Sequence, residues 1–145
     1  MAGNKRANAP SEPQPSTYTG DYWLWAERRK GEYPKSTERC GKWLIFAPDE
    51  EVDATWATIK RATEDGLLGD SAKVATAVPN PRARPGYRVI CVYTYDGDDE
   101  QDVWRVREGL RGLGFTDKLY WKADQATLAS QYSEKGRKGV SRYQG

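Results

Sequence analysis

The sequence predicts an α+β domain, with a mainly antiparallel sheet and helices on one face. Three observations predict it. Short runs rich in β-branched and aromatic residues alternate with two amphipathic stretches. Several links between those runs are too short for a helical crossover. The chain has 145 residues, the size of one domain.

Residues 1–17, MAGNKRANAPSEPQPST, are rich in Pro, Ser, Asn and Ala and poor in large apolar side chains. Such a segment buries too little surface to offset its ordering entropy. It is expected to be a disordered tail, which leaves residues 18–145 as the domain.

The first strand is expected at Asp21–Ala26, DYWLWA. Alternation sends Tyr22, Leu24 and Ala26 to one face and Trp23 and Trp25 to the other. Glu27–Arg39 reads as a charged loop. A second strand, KWLIF, spans Lys42–Phe46, and Pro48 ends it. Asp49–Asp65 has the helical period, with Val52, Trp56, Ile59 and Ala62 on one stripe. Asp49, Glu50 and Glu51 suit its first turn, and Gly66 is a C-terminal stop.

Ser71–Ala77 is the third strand, and Pro79–Gly86 a Pro/Arg-rich loop. Tyr87–Tyr95, YRVICVYTY, is apolar enough to be central. After the Asp96-Gly97 turn, Asp98 caps a second helix, with Gln101 three residues on. Val103, Val106, Leu110 and Leu113 form its stripe, and Gly114 stops it. Lys118–Ala123 is the next strand. Asp124–Tyr132 reads as a short helix, and the segment from Ser133 is basic and Gly-rich.

The formal net charge is +2, from 23 basic and 21 acidic side chains, which is not the excess of a general DNA-coating protein. There are no histidines, so the commonest general base and metal ligand are missing. Cys40 and Cys91 form no CxxC and read as reduced thiols. The acids from Asp96 to Asp102 are explained by a helix N-terminus, so neither a metal nor a cofactor is expected. The sequence contains no phosphate-binding GxxxxGK[ST] and no GxSxG. No apolar run approaches the roughly 20 residues needed to span a bilayer, and the N-terminus has no secretory pattern. The expected location is the cytoplasm, without membrane contact.

Three cations interrupt otherwise apolar strands: Lys73 in SAKVATA, Arg88 in YRVICVY and Lys122 in LYWKAD. Projected together from a concave face, they would hold a phosphate through charge-assisted hydrogen bonds. Asp124, Thr127 and Tyr132 follow Lys122 closely and join the same candidate site. Lys138, Ser141 and Arg142 belong to a basic, Gly-containing segment suited to gripping phosphate, and through it RNA is a further candidate partner. Arg82 and Arg84 lie in the Pro/Arg loop. Trp43 and Trp56 read as core. Trp23, Trp25 and Trp121 alternate with large residues on strands and are the candidates for stacking on a base.

GKWLIF (Gly41–Phe46), VDATW (Val52–Trp56), SAKVAT (Ser71–Thr76), VICVYTYD (Val89–Asp96) and LYWKAD (Leu119–Asp124) occur in this order. Together they resemble the basophilic leukaemia-expressed protein family, over Gly41 to Tyr143. The resemblance implies a fold similar to cap-binding translation initiation factor 4E, a curved antiparallel sheet backed by helices. Some related bacterial sequences are named as phosphothreonine lyases, which use a lysine base, a histidine acid and phosphate-binding arginines. This chain has no histidine for the acid.

The leading expectation is a binding protein for a nucleotide-like or phosphorylated ligand, suited to sequestering a nucleotide or signalling molecule. The alternatives are a lyase acting on a phosphorylated substrate, with Lys73 or Lys122 as base and a tyrosine as acid, and a protein-interaction module.

Overall fold

A computed structural model describes residues 12–124 and 141–145. Six strands and two helices are found among them: β1 (Trp23–Glu27), β2 (Gly41–Pro48), α1 (Val52–Glu64), β3 (Ser71–Ala75), β4 (Tyr87–Thr94), α2 (Glu100–Gly112), β5 (Tyr120–Ala123) and β6 (Tyr143–Gln144). The strands form one curved sheet in the order β1-β3-β4-β2-β5-β6, and every neighbouring pair is antiparallel. α1 packs across β1 to β4, and α2 packs on β4. The α+β reading, a mainly antiparallel sheet covered by helices on one face, holds.

Register separates the two faces. Ala26, Ala72, Val92 and Trp43 line up across four strands and are buried under the helices. Val52, Trp56 and Ile59 of α1 and Val103, Val106 and Leu110 of α2 close this core from above. Trp43 anchors α2 by donating its indole N–H to the Val103 carbonyl at 3.0 Å. Gly41 lets the neighbouring strand lie this close: a Cβ there would sit 2.4 Å from the Trp121 ring. Gly66 ends α1 with φ of +80°, a conformation that glycine adopts without a Cβ penalty.

Several boundaries differ from the sequence reading, each for a local reason. Asp49 to Glu51 form a turn before α1, because Asp49 donates its N–H to Gly86 and sends its carboxylate to Arg88. α2 is capped by Asp99, which accepts from the Asp102 N–H at 3.1 Å, since Asp98 is engaged by arginines. β3 stops at Ala75 because the Thr76 hydroxyl turns back onto the Asp21 carbonyl at 2.5 Å. Residues 12–17, assigned to a tail on composition, instead make a turn held on α1. There the Ser16 N–H and hydroxyl bind the Asp53 carboxylate at 2.9 and 2.6 Å, and Lys60 meets Glu12 at 3.0 Å. The helix expected over Asp124–Tyr132 lies, beyond its first residue, outside the described residues. Among the described residues no helix is long and apolar enough to cross a membrane.

Candidate ligand site on the open face of the sheet

The face turned away from the helices carries an aromatic and cationic row. β1 contributes Trp23 and Trp25, β3 Lys73, β4 Cys91 and Tyr93, β2 Lys42 and Phe46, and β5 Tyr120 and Lys122. Trp25, Phe46 and Tyr120 are 52, 48 and 42 % exposed, so large aromatic rings on this face meet solvent. Trp25 stacks on Tyr93 with ring centroids 6.0 Å apart and an interplanar angle of 15°. The Lys73 ammonium lies in the angle between these rings and Trp23. It meets no carboxylate among the described residues.

The strand pairing has a physical cause. Apart from Lys42 and Arg88, β2 and β4 are largely apolar, so the sheet's centre is fixed by their eight-residue ladder. β3 and β1 then add on one side and β5 on the other. That order brings side chains from five strands onto one surface.

At the end of this face where β3 passes to β4, the loop 76–87 walls a concavity of about 1100 Å³. Trp23, Phe46 and Val89 supply its apolar lining, and Arg82, Arg84, Arg88 and Lys122 its cations. Asp49 is the carboxylate among the lining residues, and Arg88 takes it at 3.2 Å. Arg82, Arg84 and Lys122 therefore face the cavity with no carboxylate partner among the described residues. The Arg84 guanidinium rests on the Tyr87 ring, 4.1 Å from its centroid.

The expected convergence of three strand cations is corrected: Arg88 and Lys122 line the concavity and Lys73 does not, and Arg88 comes from the other side of its strand. Its Cα pairs with Ala47, a buried residue of the helix-side row, whereas Lys73 pairs with Cys91 and Lys122 with Lys42 on the open side. The Arg88 guanidinium is committed to Asp49 and the Thr76 carbonyl. Trp121 is a second correction. It is fully buried on the helix side, donates to the Thr94 hydroxyl at 3.0 Å and packs on Tyr143, so no ligand can stack on it. Arg142 is a third. It ion-pairs with Asp98 at 2.7 Å, beyond the far end of β4 from the concavity. Half-buried Ser141 precedes it at the start of the β6 segment. Thr127, Tyr132 and Lys138 lie outside the described residues.

Sequence reading missed Lys42. Its ammonium bonds the Asp124 carboxylate at 2.6 Å, and the Cys40 thiol lies 3.9 Å from the other Asp124 oxygen. Burial pushes the Cys91 thiol up to about 11, and burial also raises the Cys40 thiol and the Tyr93 phenol. Both cysteines are free thiols. The alternation in KWLIF was the available signal, because it places Lys42 on the same face as Phe46.

The acidic run beside α2 has its own partners. Asp96 receives Arg39 in a two-pronged contact at 3.0 and 2.7 Å, which holds its carboxyl down at about 2. Asp99 accepts from Tyr95, and Asp102 from Tyr33 and Arg105. Among the described residues, no group of three or more Cys, Asp or Glu side chains is placed to hold a metal ion.

A family model, that of Basophilic leukemia-expressed protein Bles03, matches residues 35–128. Among solved structures, the chain is similar to C. elegans eIF4E-3 in complex with the 4E-binding protein Mextli and a cap analog. Identity is 16 % and the TM-score 0.53, over 74 % of this chain and 57 % of that one. It is also similar to Schistosome eIF4E complexed with m7GpppA and 4E-BP, at 17 % identity and a TM-score of 0.51, over 74 % and 60 % of the two chains. The chain thus spans under two thirds of the length of these relatives. At such identities the likeness shows the fold, which is initiation factor 4E-like, as the sequence resemblance implied.

Proposed function

The chain belongs to the Basophilic leukemia-expressed protein Bles03 family, and from that premise and its cationic concavity we propose that it binds a nucleotide-like or phosphorylated ligand on the open face of its sheet. The observation that carries this reading is the lining of the cavity beneath loop 76–87. Arg82, Arg84 and Lys122 lack carboxylate partners among the described residues there, beside the apolar surface of Trp23 and Phe46.

Cations left without counter-ions repel one another, and an anionic ligand relieves that repulsion while making charge-assisted hydrogen bonds. An aromatic ring beside them suits a base, since stacking is worth roughly 1–3 kcal/mol per base. In this reading Arg82, Arg84 and Lys122 hold phosphate and the Trp23 side of the cavity takes the ring. Lys73 keeps that side positively charged. The similar structures bound to a cap analog and to m7GpppA support a nucleotide-like ligand. In this reading the protein sequesters its ligand.

Thermal-shift and calorimetric screening across nucleoside triphosphates, cyclic dinucleotides and phosphopeptides tests the reading. Stabilisation of the wild type by one of these classes, reduced in the Arg82→Ala, Arg84→Ala double variant, is expected. No stabilisation by any class, with the protein folded, would remove the proposal.

A further inference from the structure

β1 is a terminal strand of the sheet, paired on one side only. The Thr76 N–H bonds the Tyr22 carbonyl at 3.1 Å, and the Arg28 N–H bonds the Asp70 carbonyl at 2.8 Å. Bonding residues alternate along an antiparallel ladder. Tyr22, Leu24, Ala26 and Arg28 therefore address β3, and Trp23, Trp25 and Glu27 point their N–H and carbonyl groups outward. Among the described residues no backbone group meets them. Exposed edges are ordinarily blunted by shortness, Pro, Lys or a bulge. β6, at the sheet's other end, has two residues. β1 has five, WLWAE, with no Pro, no Lys and an unbroken register. Its charged residue, Glu27, is exposed and has no cation partner among the described residues.

The strand is complementary to itself. Laid antiparallel on a second copy over its full length, it puts Trp25 on the two-fold axis and Trp23 of each copy opposite Glu27 of the other. Trp25 is 52 % exposed, so two solvent-facing rings meet at the centre. Lys73 leans toward Trp23, 3.9 Å from its ring centroid against 5.2 Å for Trp25. That direction leads away from Glu27 of its own chain, which pairs with Ser71, and toward the place where Glu27 of the second copy arrives. A cation and a carboxylate, each without an ionic partner in the described chain, thus meet twice across the seam. Beyond the strand, the same register sets exposed Asp21 opposite exposed Arg29. The C-terminal end of α1 reaches the chain just past Glu27, where the Arg29 N–H bonds the Glu64 carbonyl at 2.9 Å. The two-fold sets those helix ends at opposite ends of the seam. From this self-complementarity we propose that the chain forms a two-fold dimer through β1, which joins two six-stranded sheets into one. The dimer goes beyond the ligand reading and stands independently of it.

Sedimentation equilibrium of the full chain from about 1 to 300 μM tests this, since so short a seam suits a micromolar Kd. A shift from monomer to dimer is expected. Glu27→Lys and Lys73→Glu should each weaken it about tenfold or more, by setting like charges across the seam. The double exchange, Glu27→Lys with Lys73→Glu, should restore most of the affinity. Trp25→Pro, folded by circular dichroism, should stay monomeric, because it removes an outward N–H that the single chain does not use. Amide exchange followed by NMR should show Trp23, Trp25 and Glu27 gaining protection as concentration rises. A wild type that stays monomeric throughout would overturn the dimer. So would a dimer whose three amides exchange as in the monomer and whose double exchange is no tighter than the single variants, which would place the contact on another surface.

Discussion

The Lys73 ammonium lies 3.9 Å from the ring centroid of Trp23. Trp25 and Tyr93 complete the surround at 5.2 and 5.8 Å. This accounts for a lysine in the middle of a short, otherwise apolar strand: the rings replace a counter-ion. A cation over a partly exposed ring contributes about 0.5–1 kcal/mol. Lys73→Met should therefore lower stability by about that amount in urea denaturation, with the tryptophan emission altered before unfolding. Unchanged or increased stability would show that the rings do not hold the charge.

The Asp96–Arg39 contact sets an acid limit. The Asp96 carboxyl is held at about 2, below its ordinary 3.8, chiefly by hydrogen bonds from Arg39. A depressed carboxyl contributes stability that is fully present above its unfolded value and is lost as pH falls through the folded one. The window is thus from about pH 4 to pH 2. Asp96→Asn should be less stable than wild type at pH 7, with the difference shrinking to nothing below the window. Acid titrations followed by circular dichroism measure it, and a difference that stays constant down to the acid end would refute the linkage.

Much of this was legible in the strands and helices and less in the site. Alternation in DYWLWA placed Trp23 and Trp25 on the face opposite Leu24 and Ala26, as register confirms. The same parity rule applied to YRVICVYTY puts Arg88 with Ile90 and Val92, on the helix side, and in LYWKAD it sets Trp121 opposite Lys122. Grouping those residues by chemistry overrode a signal that was present. Arg107 also left a trace, since it falls on the stripe of Val103, Val106 and Leu110. The Lys42–Asp124 pair joins residues 82 positions apart, and only the strand order brings them together.

Arg107 carries the third prediction. It is fully buried and donates to the oxygens of Gly145, Phe115 and Asp117 at 2.9, 2.8 and 2.7 Å, with burial lowering its proton affinity. One planar fork thereby ties the α2–β5 turn to the β6 segment. Arg107→Met fills similar volume but leaves the Phe115 and Asp117 carbonyls unpaired, the Gly145 carbonyl keeping the Leu119 N–H, and each buried orphan costs about 1–3 kcal/mol. A loss of at least about 2 kcal/mol is expected in urea. Arg107→Lys should fall between, because one ammonium cannot span the fork. A loss under about 1 kcal/mol for the methionine variant would mean that water replaces the guanidinium.

The thiols should separate by reactivity. The thiolate is the nucleophile, so a buried thiol with a raised value is inert. Cys91 is 4 % exposed and pushed up to about 11, whereas Cys40 is only half-buried, with burial raising its thiol as well. Iodoacetamide at pH 8 with peptide mapping should modify Cys40 slowly, and Cys91 only after denaturant is added. Cys91 reacting first in the folded protein would contradict the strand placement.

The tryptophans give the widest predicted contrast. Trp121 is fully enclosed between β2, β6 and the Thr94 hydroxyl, while Trp25 is 52 % exposed and rests on Tyr93 alone among rings. Removing a large ring from a packed core costs about 3–5 kcal/mol. Removing one from an exposed stack costs about 0.5–1.5 kcal/mol. Trp121→Ala should therefore shift the urea midpoint several times further than Trp25→Ala. Ligand binding separates the two faces the other way: Trp23→Ala, still folded, should weaken a nucleotide that stacks beside the concavity, whereas Trp121→Phe, kept folded by its remaining ring, should bind as the wild type does. Equal effects of these two on binding would place the ring contact elsewhere than on the open face, and equal effects of Trp25→Ala and Trp121→Ala on stability would contradict the burial that separates them.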